Sequence, residues 1–412
     1  MRIGRTLPPA AAPITWRDFV SGLKGWAEGP GAINRFEDEL KDYFGVGFCY
    51  LLSSGKAALS LTLQALKDLH PERDEVLIPA FTCYSVPSAI VRAGLKVRLC
   101  DIHPDTLDFD FEKLGEKLKS GKLLCVVPIH LFGRPADVKR LREMIKDPRV
   151  LVVEDAAQAF GGFCADGKLG TLGDVGIFSL GRGKALSTVE GGIILTARRD
   201  IAEKIEARCG KIPAYSFFER FKLLLYAGAL MCLLNPAFFW LPKALPFLKM
   251  GETVYDPGFK VRKFSALQAG LSRGWRERIA TFQRARRTHA RALNSILHEK
   301  PAAKDGARSF DDSGLIRFPL KIGSSFIRES ILLRSESKGL GISLTYPDSI
   351  DGIAALHNEF AGEHYPVAKA QAKQMVTLPI HSLLNAKDMA RIEQVVSDLA
   401  ELGQNACGEG LS

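Results

Sequence analysis

Between about residues 45 and 200 the chain alternates short apolar runs with amphipathic stretches. Apolar runs at 47–52, 75–78, 96–100, 123–128, 150–154, 175–179 and 192–196 predict strands, because each is short and bounded by turn-forming residues. Between them, 55–69, 85–93, 110–118 and 136–145 carry apolar residues at helical spacing and predict helices. Strands that read as continuous apolar runs are covered on both faces, which predicts an α/β fold: a mostly parallel sheet with helices on both sides. Ligands in such sheets bind beyond the carboxyl ends of the strands, so functional residues are expected just after strands.

The pattern changes after about residue 256. A long helical stretch at 264–297 precedes a polar, charged run at 300–313, strand-like runs at 315–322 and 375–378, and a closing helix at 386–402. These predict a smaller α+β domain. The expected organisation is an N-terminal segment (1–30), a large domain (31–255) and a small C-terminal domain (256–412), with the N-terminal segment packing on the small domain. An apolar insertion at about 213–250 fits neither domain. Residues 223–242 carry no charge, and Lys222, Lys243 and Lys249 flank them. Asn235 and Pro236 interrupt the run and Pro242 ends it, which argues against a straight spanning helix. A helix-break-helix lying on a membrane surface is one reading; burial against a second subunit or the protein's own body is the other. Either way the segment is expected to stand apart from the catalytic core.

Composition narrows the class further. With 46% hydrophobic and 25% charged residues, the chain is globular and long enough to bury a large core without disulfide staples. Eight cysteines are scattered with no C-x-x-C pair, as buried free thiols are, which suggests a reducing, cytoplasmic setting, with contact to the inner face of the membrane an option. The N-terminus has no apolar signal-like run. The net charge of +10 is concentrated in 272–291, where seven arginines accompany Trp275, Ile279 and Phe282 at helical spacing. That is the pattern of a partly exposed helix; with no recognition motif beside it, nucleic-acid binding is not expected.

The chemistry-bearing stretch is Val153-Glu-Asp-Ala-Ala-Gln158, then Ser179-Leu-Gly-Arg-Gly-Lys184, then Glu190-Gly-Gly. Asp155 ends an apolar strand, where a carboxylate is costly unless it meets a cation such as a protonated pyridine nitrogen. Lys184 sits in a small-residue loop, where a desolvated amine becomes a nucleophile toward an aldehyde. Ser179 offers a hydroxyl to a phosphate. Gly55, Lys56 and Ala57 open a helix after a strand, a natural anion site. Singly these residues read as a helix cap, a surface lysine and a strand end; in this order, on successive strand ends, they point to pyridoxal phosphate.

The same residues resemble the DegT/DnrJ/EryC1/StrS family of pyridoxal-phosphate-dependent sugar aminotransferases, which has the aspartate-aminotransferase fold. Supporting similarities are Ser53-Ser-Gly-Lys-Ala-Ala-Leu59, Asp74 to Thr82, Asp101-x-x-Pro-Asp-Thr106, His130-Leu-Phe-Gly-Arg-Pro-Ala136, Leu267-Gln-Ala and Leu378-Pro-Ile-His381. The resemblance implies that Lys184 is the Schiff-base lysine and Asp155 the partner of the ring nitrogen. Gln158 would lie on the phenolic-oxygen side, with Ser179 and the 55–57 turn on the phosphate. Lys56 replaces the usual threonine. Cys83 stands where the family stacks an aromatic ring, with Phe81 and Tyr84 as the nearest aromatics. The Asn-x-Arg that usually precedes Leu267 and Gln268 is replaced by Lys260, Val261, Arg262 and Lys263.

The implied activity is transfer of an amino group, with glutamate as donor, to a keto-sugar, nucleotide-linked, in surface-polysaccharide or glycoconjugate biosynthesis, by a homodimer. Two other readings are a deoxysugar dehydratase of the same fold, against which Lys184 argues because that branch carries histidine there, and a non-catalytic or membrane-tethered relative. No metal is expected.

Overall fold

In the computed structural model, residues 3–244, 253–299 and 314–408 are described. Lys249 and the polar run 300–313 lie outside them.

Seven strands form the central sheet: β1 (Phe48–Leu52), β2 (Glu75–Pro79), β3 (Lys96–Cys100), β4 (Leu123–Val126), β5 (Leu151–Asp155), β6 (Val175–Ser179) and β7 (Gly192–Thr196). They lie in the order β1-β7-β6-β5-β4-β2-β3. The pairs β2/β3, β2/β4, β4/β5 and β5/β6 are parallel, while β7 runs antiparallel to both β1 and β6. Six strands therefore point one way, and their carboxyl ends share one edge. Strands β4 to β7 are buried throughout, which is why they read as unbroken apolar runs. The expected mostly parallel sheet is observed.

A second sheet, β8 (Phe318–Lys321), β9 (Ser343–Leu344) and β10 (Met375–Leu378), is antiparallel, in the order β8-β10-β9. Helices Ser325–Lys338 and Ala386–Gly408 share an apolar cluster with it, and the chain start joins that cluster through Leu7. Arg5 forms an ion pair with Asp388 at 2.5 Å, and His381 meets the Pro8 carbonyl at 2.8 Å. The N-terminal segment thus packs on the C-terminal region.

One expectation needs correction. The stretch 264–297 is two helices, Ala266–Leu271 and Trp275–Glu299, separated at Gly274, whose φ of 68° no helix can contain. The second helix is partly exposed, as expected, and one of its arginines is buried. Arg286 is buried and donates to the carbonyls of Ala11 and Ala185, both at 3.1 Å, and burial lowers its pKa to about 10. Trp275, also buried, donates to Glu39 at 2.9 Å.

The apolar insertion forms a capped helix, Phe217–Leu233, followed by a turn and the short helix Trp240–Lys243. Ser216 and Glu219 close a capping box at its start. Leu223 and Ala227 are buried with Ile14, Val189, Leu267 and Leu271, so one stripe of the helix docks on the body. Among the described residues no helix is long and apolar enough to cross a membrane.

Candidate active site

The carboxyl ends of β1, β5 and β6 converge on a cavity of about 770 Å³. Asp155, Gln158, Ser179, Lys184, Gly55, Lys56 and Cys83 all line it; Ala57, the remaining expected residue, does not. The sheet brings these segments together from distant parts of the chain, and close packing sets their spacing. A Cβ on Gly55 would lie 2.8 Å from Ser179 Cβ, so only glycine lets the helix start approach that serine. A Cβ on Gly192 would lie 2.1 Å from the Ser54 carbonyl oxygen, so the glycine pair after Glu190 has a steric cause.

At the phosphate-like end, Ser54 caps helix Gly55–Leu69 by accepting from the Ala57 N–H at 3.2 Å. That donor is thereby used. The N–H groups of Gly55 and Lys56 make no hydrogen bond among the described residues and remain available at the positive helix end. The Lys56 side chain turns elsewhere, pairing with Asp256 at 3.3 Å and lying 4.5 Å from the Phe259 ring centre. Its replacement of threonine therefore leaves the backbone cup intact. Ser179 Oγ accepts from the Gly181 N–H at 3.3 Å, and its hydroxyl proton is free to donate.

Asp155 is 8% exposed. Its carboxylate accepts from the Ala157 N–H at 2.9 Å and has no ion pair among the described residues. Burial raises its pKa, outweighing the opposite pull of the Ala157 amide and the Lys184 charge. The strand beneath it is firmly held: Asp155 N–H donates to the Pro128 carbonyl at 2.9 Å, and its own carbonyl accepts from His130 at 3.0 Å. Behind it, fully buried Glu154 accepts from His130 Nε2 at 2.9 Å and from the Gly170 N–H at 2.8 Å. His130 Nδ1 accepts from the Ala136 N–H at 3.0 Å, which fixes the tautomer with the proton on Nε2. The His130–Ala136 motif is thus a buried brace for the strand carrying Asp155.

Lys184 follows Gly183 in a tight turn and has no side-chain partner among the described residues. Gln158 donates to the Tyr346 hydroxyl at 3.0 Å and accepts from the Phe132 N–H at 3.2 Å, keeping one amide N–H for a ligand. Cys83 Sγ lies 3.3 Å from Ser85 Oγ. The neighbouring aromatics turn away: Phe81 packs edge-on against Tyr346 at 5.4 Å, and the Tyr84 hydroxyl bonds to the backbone of Asp348.

The residues present fit pyridoxal phosphate. A buried carboxylate with no ion pair among the described residues suits a protonated ring nitrogen, an amine with no hydrogen bond among them suits the aldehyde carbon, and a helix start beside Ser179 suits the phosphate.

Tyr346 was not singled out from the sequence, and the parts played by Glu190 and Gln268 were not legible there. Tyr346 orients Gln158, and it comes from the C-terminal region. Glu190 lines the cavity, its carboxyl raised in pKa by burial although it accepts a short hydrogen bond from Tyr215. Gln268 donates to the Glu190 carbonyl at 2.7 Å, which gives the Leu267-Gln268 similarity a physical reason. The apolar insertion also lines the cavity, through Tyr226, Ala229, Leu230, Leu233, Phe239 and Pro242. This corrects the expectation that it stands apart from the catalytic core: helical spacing from Tyr226 to Leu233 turns one face of its helix toward Lys184.

An α/β sheet with an anion cup, a buried carboxylate and a free lysine on its carboxyl edge defines a fold of the aminotransferase class. The chain belongs to the DegT/DnrJ/EryC1/StrS aminotransferase family, whose sequence profile matches residues 21–397. Among curated relatives, GDP-perosamine synthase of Caulobacter vibrioides is 34% identical over 179 residues, 43% of this chain and 47% of that protein. L-glutamine:2-deoxy-scyllo-inosose aminotransferase of Streptomyces kanamyceticus is 34% identical over 175 residues, 42% of this chain and 40% of that one. The chain thus spans about half the length of the curated relatives it matches. A sugar aminotransferase structure from Micromonospora echinospora shares the fold with a TM-score of 0.75 at 22% identity, covering 95% of this chain and 99% of that one. PseC of Helicobacter pylori, an aminotransferase involved in the biosynthesis of pseudoaminic acid, gives 0.75 at 17%, covering 97% and 100%.

Proposed function

We propose that this protein is a pyridoxal-phosphate-dependent aminotransferase that moves an amino group from glutamate to a nucleotide-linked keto-sugar, in the assembly of surface polysaccharide or another glycoconjugate. The observation that carries the reading is the placing, on one cavity, of buried Asp155, which has no ion pair among the described residues, with Lys184, whose side chain has no hydrogen bond or ion pair among them. The family membership and the sugar-modifying names of the relatives support it. When bound, the cofactor supplies an electron-withdrawing ring that takes up the charge left when the donor's Cα–H bond breaks. Asp155 holds the opposite charge at the ring nitrogen. Lys184 Nζ takes the Cα proton as general base and returns it as acid. Gly55, Lys56 and Ser179 hold the phosphate, and Gln158 and the braced β5 edge keep the ring oriented. The apolar wall from the insertion excludes water from the proton transfer.

The test has two parts. The purified protein should show a visible absorption band from bound cofactor that Lys184→Ala removes while leaving the fold intact. Nucleotide-linked keto-sugars screened with glutamate should then release 2-oxoglutarate. Near wild-type turnover by Lys184→Ala would sink the assignment.

The same proposal includes a homodimer and contact of the insertion with an anionic membrane surface. Phe218, Phe221 and Leu225 are 82%, 45% and 58% exposed on the outer face of helix Phe217–Leu233. Leaving such side chains in water is unfavourable by roughly 25 cal/mol per Å² of apolar area. Lys222 lies among them and would meet anionic headgroups, whereas Lys243 pairs with Glu336 at 3.6 Å.

A further inference from the structure

Helix Phe217–Leu233 is apolar on more faces than its packing on the body requires. Leu223 and Ala227 form the stripe that docks. Tyr226, Leu230, Leu233 and Leu234, at helical spacing, form a second stripe that lines the cavity. Phe218, Phe221 and Leu225 form a third, which is exposed. A surface helix needs one apolar stripe, so the other two answer to something else. They meet at the cavity rim, where the adjacent residues Leu225 and Tyr226 are 58% and 48% exposed. Apolar surface thus continues from the cavity, over the rim, onto the outer face of the helix.

Polar groups at this end of the cavity are few. The insertion gives the lining no charged side chain and a single hydroxyl, on Tyr226. Arg182, in the lysine turn, lines the cavity, is exposed and makes no hydrogen bond or ion pair among the described residues. Lys222 lies one turn before Tyr226, with Nζ 5.6 Å from its ring centre. Burial raises the pKa of Glu190, also on the cavity wall, against the pull of Tyr215 and of the Arg182 and Lys222 charges, so both cations stand at that end.

The acceptor brings its keto-sugar on a carrier, and the wall discriminates between carriers. A base and a ribose need hydrogen-bond partners, which the insertion does not offer. A hydrocarbon chain suits the apolar stripe, and a diphosphate suits the guanidinium fork of Arg182. A polyisoprenyl diphosphate joins the two in one molecule and is held in a membrane, the surface proposed above for the outer face of the same helix.

We propose that the cavity takes keto-sugars carried on a polyisoprenyl diphosphate in addition to nucleotide-linked ones, with Arg182 on the diphosphate and the chain laid along Tyr226, Leu230, Leu233 and Leu234. The inference rests on the aminotransferase reading and adds a second class of acceptor to it. The transfer itself is unchanged: glutamate is oxidised to 2-oxoglutarate and the keto carbon is reduced to a primary amine. The keto oxygen leaves as water, and one water supplies the new carbonyl oxygen of 2-oxoglutarate.

The test uses the full-length, cofactor-loaded protein and three probes, farnesyl diphosphate, farnesol and inorganic diphosphate, with binding measured by calorimetry. Farnesyl diphosphate should bind roughly tenfold or more tightly than either of the others. Arg182→Gln should weaken farnesyl diphosphate and inorganic diphosphate alike. Leu233→Ser/Leu234→Ser should remove most of the advantage given by the chain. Neither leucine belongs to the cluster that docks the helix, and retention of the cofactor absorption band checks that the double variant is folded. With glutamate, the same keto-sugar is then offered on farnesyl diphosphate and on uridine diphosphate. The ratio of the two kcat/KM values should fall about tenfold in the double variant.

Farnesyl diphosphate binding no tighter than inorganic diphosphate overturns the proposal. Equal binding of farnesol does so too, since it marks a non-specific apolar wall, as does an unchanged kcat/KM ratio in the double variant. If the uridine-diphosphate sugar is aminated and the farnesyl one is not, the proposal fails while the aminotransferase reading stands. If farnesyl diphosphate binds with the stated preference and neither sugar is aminated, the aminotransferase reading fails while the carrier site stands.

Discussion

Asp155→Asn separates the electrostatic role of the carboxylate from its place in the packing. Asparagine is nearly isosteric, and its Oδ1 can still accept from the Ala157 N–H, now at 2.9 Å. What disappears is the negative charge facing the ring nitrogen. Two unit charges about 3 Å apart attract by roughly 5 kcal/mol at the effective dielectric of about 20 that suits protein sites. Part of that is repaid by no longer burying a charge. One preorganised contact of this kind is worth about 3 kcal/mol of barrier, or roughly a hundredfold in turnover. Cofactor affinity should fall much less, because the phosphate cup is untouched.

The cofactor-free protein should respond in the opposite direction. Burial raises the Asp155 pKa above its unfolded value. The folded state therefore holds its proton more tightly, and stability is lost as pH rises from the unfolded carboxyl range through the raised folded value. An amide at this position carries no such loss, so cofactor-free Asp155→Asn should be the more stable protein at pH 7 and no more stable at pH 3. Steady-state turnover, absorbance titration with cofactor, and thermal melts of the stripped proteins at both pH values provide the assay. Equal losses of occupancy and rate, or a stripped variant less stable than wild type at pH 7, would refute the reasoning.

Two further outcomes follow from packing. Gly192→Ala should weaken cofactor binding at least tenfold and destabilise the protein by about 1–3 kcal/mol, because the new methyl meets the Ser54 backbone and must push the phosphate turn away from Ser179; a cofactor titration superimposable on wild type would contradict this. Phe218→Ser/Phe221→Ser/Leu225→Ser should abolish flotation with vesicles containing anionic lipid while leaving sedimentation unchanged. If the wild type does not float and the triple variant instead shifts from dimer to monomer, a second subunit covers that face.

The large domain was legible in the sequence because buried parallel strands must be apolar at nearly every position, and a strand written that way cannot be mistaken for a surface element. Asp155, Ser179 and Lys184 stood out for the same reason: a carboxylate, a hydroxyl and an amine at the ends of apolar runs have to answer to something. The apolar spacing also placed the helix start at Gly55, while its cap, Ser54, was found only in the structure. Other features had no local signature. Tyr346 comes from a part of the chain more than 130 residues beyond Lys184, and only the tertiary structure sets its hydroxyl against Gln158. Gly192 looked like half of a glycine pair until the approach of Ser54 gave it a cause. The apolar insertion shows the limit most clearly. Its composition determined that its surface must be covered, but hydrophobicity has no direction along a sequence. Which stripe packs on the body, which lines the cavity and which remains outside was decided by the rotation of one helix against Val189, Leu267 and Leu271.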